Sequence, residues 1–196
     1  MHTNHNETFQ LKILLEDSQP PIWRRVLVPA DLTLLDLHLV IQIAMGWLDT
    51  HMHAFEHGRR LYGPPASADG WSMIETENES TVRISDLLHR EADQLHYAYD
   101  FGDGWRHRIT LEKCLIADPT TPRCTEAVRA CPPEDRGGVD GYKGLLAVVA
   151  GAGSPDRDGQ VEPLTARLDP ERVDLAAINL ELDEVFEARH QSSQVA

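Results

Sequence analysis

Leu95-His96-Tyr97-Ala98-Tyr99-Asp100-Phe101-Gly102-Asp103-Gly104-Trp105-Arg106-His107-Arg108-Ile109-Thr110-Leu111-Glu112-Lys113 is the stretch that decides the fold. Two runs rich in aromatic and β-branched residues flank a Gly/Asp cluster, which is the pattern of a β-hairpin. With Asp103-Gly104 as a two-residue turn, Phe101 pairs with Arg106, Asp100 with His107, and Tyr99 with Arg108. Directly opposed residues have Cβ atoms about 4.5–5.5 Å apart, close enough for a carboxylate to orient and charge-stabilise an imidazole. In this register His96, Ala98, Ile109 and Leu111 share the face of that pair. Tyr97, Tyr99, Phe101, Arg106 and Arg108 lie on the other, where cation–π contacts can form. A three-residue turn at Gly102-Asp103-Gly104 instead places Asp100 opposite Arg106. The Asp100–His107 pair reads either as a structural stitch or as part of an acid/base or metal site.

Upstream, Phe9 to Leu15 and Ile22 to Val28 read as an opening strand pair broken by Pro20-Pro21. Thr33 with Asp36 predicts a capped helix start, and Leu34, Leu37, Ile41 and Ala44 recur at helical spacing until Gly46. His51 to His57 has period two, whereas 63–79 is a Gly/Pro/acid-rich excursion, and Ser85 caps a short turn over 86–88. Downstream, 119–138 reads as a long loop, 141–149 as a helix, 151–162 as a flexible connection, and 174–189 as a terminal amphipathic helix. The expected fold is α+β. It is a single compact domain over 7–190, mostly antiparallel sheet, with a helix after the first strand pair, helices near the C-terminus, and flexible tails at 1–6 and 191–196.

With 196 residues and 41% hydrophobic content, the chain can bury a core without disulfides or metal. No apolar run approaches the roughly 18 residues of a membrane helix, so no membrane partner and a cytoplasmic location are expected. The three cysteines, Cys114, Cys124 and Cys131, suit a reducing compartment. A net charge of −14 disfavours nucleic acid as a partner unless folding pools Arg24-Arg25, Arg59-Arg60 and Arg106-His107-Arg108.

Candidate chemistry gathers on a few residues. Asp100-Phe101-Gly102 spells the magnesium-binding triplet of protein kinases, but the accompanying Gly-rich loop and His-Arg-Asp segment are absent. On a strand His51 and His53 point the same way and can bite one transition metal, with completion from residues distant in sequence such as His107 or Asp100, or from Glu134 and Asp135; a half-exposed polar strand is the plain alternative. Cys124 and Cys131 have spacing unlike a zinc knuckle and read as structural thiols, a weaker separate zinc site or a redox pair. In Cys131-Pro132-Pro133-Glu134-Asp135-Arg136-Gly137-Gly138, prolines and glycines present Glu134 and Asp135 on a stiff loop. No nucleophile elbow, phosphate loop or dinucleotide fingerprint is present.

Four motifs in order carry a resemblance: Pro20-Pro21-Ile22-Trp23-Arg24-Arg25; Met45-Gly46-Trp47 with His51 and His53; Tyr99 through His107; and Cys131-Pro132-Pro133-Glu134-Asp135 with Gly137, Gly138, Gly141 and Tyr142. Together they resemble the plasmid pRiA4b ORF-3-like family over about Phe9 to Leu182. The resemblance implies a compact α+β fold found in bacteria and archaea, often on plasmids or mobile elements; some relatives are labelled resolvase-like passengers. It supplies no catalytic residues. Where relatives often carry Cys after Glu-Asp, this chain has Arg136, which weakens any role for a third loop thiol.

Three functions follow as expectations. The first is a non-enzymatic accessory module that binds protein through Asp100, Asp103, Trp105, His107, Glu134 and Asp135. The second is a hydrolase using zinc or another divalent metal on His51, His53 and His107. The third is a DNA-binding accessory protein. No cofactor is implied outright.

Overall fold

The computed structural model describes residues 7–65, 76–117, 121–152 and 168–194. Eight strands form one sheet: β1 (Glu7–Leu15), β2 (Ile22–Pro29), β3 (His53–His57), β4 (Arg60–Gly63), β5 (Glu77–Asn78), β6 (Gln94–Tyr99), β7 (Trp105–Ile116) and β8 (Arg123–Val128). Their order is β5-β4-β3-β6-β7-β1-β2-β8, antiparallel except for the short β4–β5 pairing. Among the described residues three α-helices pack with it: α1 (Leu34–Met45), α2 (Gly138–Val149) and α3 (Leu175–Gln194). The fold is α+β, as expected.

Alternation throughout β2, from Phe9 onward in β1 and from Trp105 to Leu111 in β7 gives the sheet one buried face. Across it runs a continuous row of paired residues, Phe55–Tyr97–His107–Leu15–Ile22. His107 is therefore mid-sheet and wholly buried. Helix α1 contributes Leu34, Leu37, Val40, Ile41 and Ala44 to the same core. The Thr33 hydroxyl accepts the Asp36 N–H while the Asp36 carboxylate accepts the Thr33 N–H, and Gly46, at φ +86°, ends the helix as its spacing predicts.

Helix α3 packs Leu182 and Phe186 into the core and guards the β8 edge. The Cys124 N–H donates to Asn179 Oδ1 (2.8 Å), and Asn179 Nδ2 donates back to the Cys124 carbonyl (2.9 Å), so one side chain takes the place of a ninth strand. The helix runs on to Gln194, past the point where the helical pattern fades.

Several expectations are corrected. β8 lies within the predicted loop 119–138, because the chain returns to pair with β2. His51 precedes β3 in a bend, so His51 and His53 do not share a strand face. Two 3₁₀ segments follow β5, Glu79–Thr81 and Ile84–Asp86, and the second, in place of the expected turn over 86–88, is preceded by Arg83 rather than capped by Ser85. The hairpin register also differs: Tyr99 pairs with Trp105 and Tyr97 with His107, closing a five-residue loop over 100–104. Asp100 takes φ +52° and its Oδ1 accepts the N–H groups of Gly102 (3.0 Å) and Asp103 (3.3 Å). This Asx turn starts the loop earlier than Asp103-Gly104. His107 consequently faces inward with Tyr97 and Tyr99, while Arg106 and Arg108 lie on the opposite face. The predicted excursion at 63–79 and the connection at 151–162 fall largely outside the described residues, as do residues 1–6.

Candidate metal centre

Three loops meet at one end of the sheet: 46–52 after α1, 100–104 between β6 and β7, and 131–137 before α2. Trp47 joins the first to the third by donating Nε1–H to the Pro132 carbonyl (2.9 Å), and rests on the end of β6 by stacking on Tyr99 (5.0 Å between ring centroids). The Thr50 N–H donates to Tyr99 Oη (3.0 Å), and the Asp100 N–H to the Met52 carbonyl (2.9 Å), which ties the first loop to the second.

Between the loops stand His51, Asp100 and Asp135. His51 Nε2 lies 3.3 Å from Asp135 Oδ1 and 3.7 Å from Asp100 Oδ2, and one donor atom from each residue falls within 4.8 Å of the other two. His51 Nε2 is shut off from solvent and makes no hydrogen bond among the described residues. Asp100 is divided in use: Oδ1 is consumed by its own turn, while Oδ2 faces the imidazole. Around a transition metal with bonds of about 2.0–2.2 Å, adjacent donors stand about 3–3.6 Å apart, so the two sides of the triangle that meet at His51, 3.3 and 3.7 Å, already have ligand spacing, while the third is within 4.8 Å. One imidazole and two carboxylates suit Mn²⁺, Fe²⁺ or Zn²⁺. Asp135 is largely exposed, which leaves one side of the triangle facing solvent.

Glu134 adjoins the centre on a second set of contacts. Its Oε1 accepts a very short hydrogen bond from the Tyr99 hydroxyl, with longer ones from the Leu48 N–H (3.4 Å) and the Thr50 hydroxyl (3.5 Å). Burial, and then the bond to Glu134, push the Tyr99 hydroxyl up to about 12. Tyr99 therefore stays a donor at neutral pH and holds one carboxylate oxygen fast.

A second cluster, His38, Asp49 and His53, has ligand spacing but the wrong geometry. The rings of His38 and His53 stack at 3.6 Å with planes 9° apart. A metal in the plane of one ring then lies far out of the plane of the other, so the pair cannot share an ion. Hydrogen bonds account for it instead. Gln42 Nε2 donates to Tyr97 Oη (2.9 Å), so the Tyr97 proton goes to His38 Nδ1 (2.9 Å) and His38 Nε2–H meets Asp49 Oδ1 (2.9 Å). Burial, then the neighbouring His53, push His38 down to about 4, which agrees with that neutral tautomer. His53 Nε2 meets the buried Glu79 carboxylate at 2.8 Å.

The structure thus divides the predicted set of His51, His53 and His107. His51 belongs to the open triangle and His53 to the stacked pair. His107 makes ring contacts with Trp47 and Tyr97 and has no hydrogen bond on either nitrogen among the described residues. Burial pushes it down to about 3. Trp105 and His107 are both fully buried and cannot belong to a recognition surface; Glu134, Asp135 and part of Asp103 are accessible. Asp100 faces His51 rather than His107.

Cys124 and Cys131 are free thiols, and neither belongs to a metal-ligand group among the described residues. Burial raises both, Cys131 to about 12, which leaves them protonated and unreactive. The basic stretches are largely committed as well. Buried Arg24 donates to the carbonyls of Ala44 and Arg129, Arg25 is neutralised by Glu112 and Glu126, and Arg108 faces Glu16. Sequence reasoning missed His38, Asp49 and Glu79. A signal existed for His38, which stands four residues after Leu34 on the apolar stripe of α1; Glu79 had none, since its partner is 26 residues away.

The family model for plasmid pRiA4b ORF-3-like protein matches residues 7–177. An uncharacterized protein, y4hQ, of Sinorhizobium fredii (strain NBRC 101917 / NGR234) is 37% identical over 142 residues, 72% of each chain. The crystal structure of a protein of unknown function, MM3350 from Methanosarcina mazei Go1, superposes with a TM-score of 0.75 at 32% identity, over 90% of this chain and 98% of that one. All four sequence motifs fall within the matched region.

Proposed function

The chain belongs to the plasmid pRiA4b ORF-3-like family, and we propose that it is a divalent-metal-dependent hydrolase whose metal is held by His51, Asp100 and Asp135. One observation carries this reading: a solvent-shielded imidazole nitrogen without a hydrogen bond faces carboxylate oxygens from two other loops. A proton on His51 Nε2 would serve one of these carboxylates at a time, at 3.3 Å to Asp135 or 3.7 Å to Asp100, and would leave the rest of their negative charge facing the same point. A cation there serves all three groups at once, and three protein donors leave coordination positions for water, which a metal can ionise near neutral pH. Glu134, next in sequence to the ligand Asp135 and fixed by Tyr99, is the carboxylate that takes the proton.

Tag-free protein stripped with chelator and titrated with Mn²⁺ and Zn²⁺ in a calorimeter should bind one equivalent, and His51→Ala or Asp135→Asn should weaken binding at least tenfold. Binding weaker than millimolar, or variants equal to wild type, would sink the reading. Metal-dependent release of p-nitrophenol from p-nitrophenyl acetate or bis(p-nitrophenyl) phosphate, lost in Glu134→Gln while metal binding persists, tests the hydrolytic half.

A second reading keeps the non-enzymatic accessory module of plasmids and mobile elements. It is favoured by three exposed apolar side chains beside the centre, Leu48 (77%), Met52 (56%) and Phe101 (50%). A metal-free chain that still binds a protein partner through these residues would support it over the first.

A further inference from the structure

The ligand Asp135 poses a problem of position. Its side chain is 76% exposed, its backbone sits at φ +58°, and His51 supplies its one ion-pair contact among the described residues. Nothing in Asp135 itself holds it at the centre; the hold is on the residues that follow. Asp103 Oδ2 accepts the N–H of Arg136 (2.9 Å), and both oxygens of Asp103 approach the N–H of Gly137 (3.1 Å each). The main chains also touch. A Cβ placed on Gly138 would stand 2.2 Å from the Asp103 carbonyl oxygen, so the loops approach as they do only because that residue lacks a side chain.

Asp103 shares its five-residue loop with the ligand Asp100, whose Oδ1 accepts the Asp103 N–H. One carboxylate thus joins the loop bearing Asp100 to the loop bearing Asp135. We infer that Asp103 is a positioning residue that latches the two loops together and sets the separation of the Asp100 and Asp135 ligands. It touches neither the metal nor the reacting water. A ligand on a free loop spends binding energy on ordering that loop, whereas a latched one is preorganised.

This inference rests on the metal reading above, and its test separates the two. Mn²⁺ affinity is measured by calorimetry on the full chain for wild type, Asp103→Ala and Asp103→Asn. Asp103→Ala should weaken binding at least tenfold. Asp103→Asn, whose amide oxygen still accepts the loop N–H groups, should stay within about threefold of wild type. If Asp103 acted only as a distant negative charge attracting the cation, Asn would be as weak as Ala; that result, or unchanged binding in Asp103→Ala, overturns the latch. Hydrogen exchange without metal gives a second readout: the amides of Arg136 and Gly137 should be protected in wild type and in Asp103→Asn and unprotected in Asp103→Ala. Should Asp103→Ala fail to fold, Gly138→Ala pries the loops apart from the other side and should give the same loss of affinity. If wild type binds no Mn²⁺, the metal reading falls and this inference with it. If wild type binds and Asp103→Ala binds equally well, the inference alone falls.

Discussion

Acidification from pH 7 to pH 5 should destabilise this domain through two buried histidines. His107 is held neutral by burial in the middle of the sheet, down to about 3, and His38 by burial and the stacked His53, down to about 4. In the unfolded chain both return to the ordinary histidine value of about 6.5. The unfolded state therefore binds the extra protons. The neutral-histidine contribution is complete above about pH 6.5 and is lost as pH falls, levelling off near about 4 for His38 and about 3 for His107. Over this interval each histidine titrates only when unfolded, through about 1.5 pH units. At about 1.4 kcal/mol per unit that is roughly 2 kcal/mol each and roughly 4 kcal/mol together, a large part of an ordinary domain's stability. Carboxylates enter later: Glu112, held below its ordinary range by hydrogen bonds from Arg25, adds its loss only once pH drops through the ordinary carboxylate range. Urea unfolding in the presence of chelator, followed by the fluorescence of the four tryptophans, measures the difference. His107→Phe, which keeps a flat ring against Trp47 and Tyr97, should remove about half of it. A wild-type loss under about 1 kcal/mol between pH 7 and pH 5, or an unchanged loss in His107→Phe, would refute the assignment.

Gly141→Ala would place a Cβ 1.5 Å from the Arg136 carbonyl oxygen, inside the first turn of α2, and should cost more than about 2 kcal/mol in urea unfolding. Asn179→Ala removes both hydrogen bonds that cap the β8 edge at Cys124; it should cost about 1–2 kcal/mol and increase concentration-dependent association in light scattering. A thiol reagent added to the native protein should modify exposed Cys114 first, half-buried Cys131 more slowly and buried Cys124 only on unfolding; burial raises all three thiols, so exposure sets the order.

Local signals were sufficient for much of the fold. The Thr33–Asp36 capping box and Gly46 delimit α1 because capping depends on residues three or four positions apart. Alternation in β1, β2 and β7 is likewise a property of neighbours, and the four motifs identified the family. Local signals failed where two segments had to choose a register. Asp103-Gly104 is a good two-residue turn in isolation, but the Asx turn of Asp100 enlarges the loop and moves His107 from Asp100 to Tyr97, into the buried row. One shift of register turned a candidate catalytic histidine into a core residue.

The candidate centre lay further beyond local reading. Its three residues were each visible as chemistry: His51 as a metal-ligand type, Asp100 in the hairpin, and Asp135 on a stiff loop. Their grouping was one of several open completions of a His51–His53 pair, since they come from three loops spread over 85 positions of sequence, and the distractor His53 stands two residues from His51. Sequence alone determined the α+β class, the helix limits set by caps, and the residue types able to bind a cation. Only the tertiary structure decided which of them meet, because side-chain convergence depends on the pairing of β3, β6 and β7 and on the Asp103 contact between loops, and both link residues whose separation along the chain carries no pattern of its own.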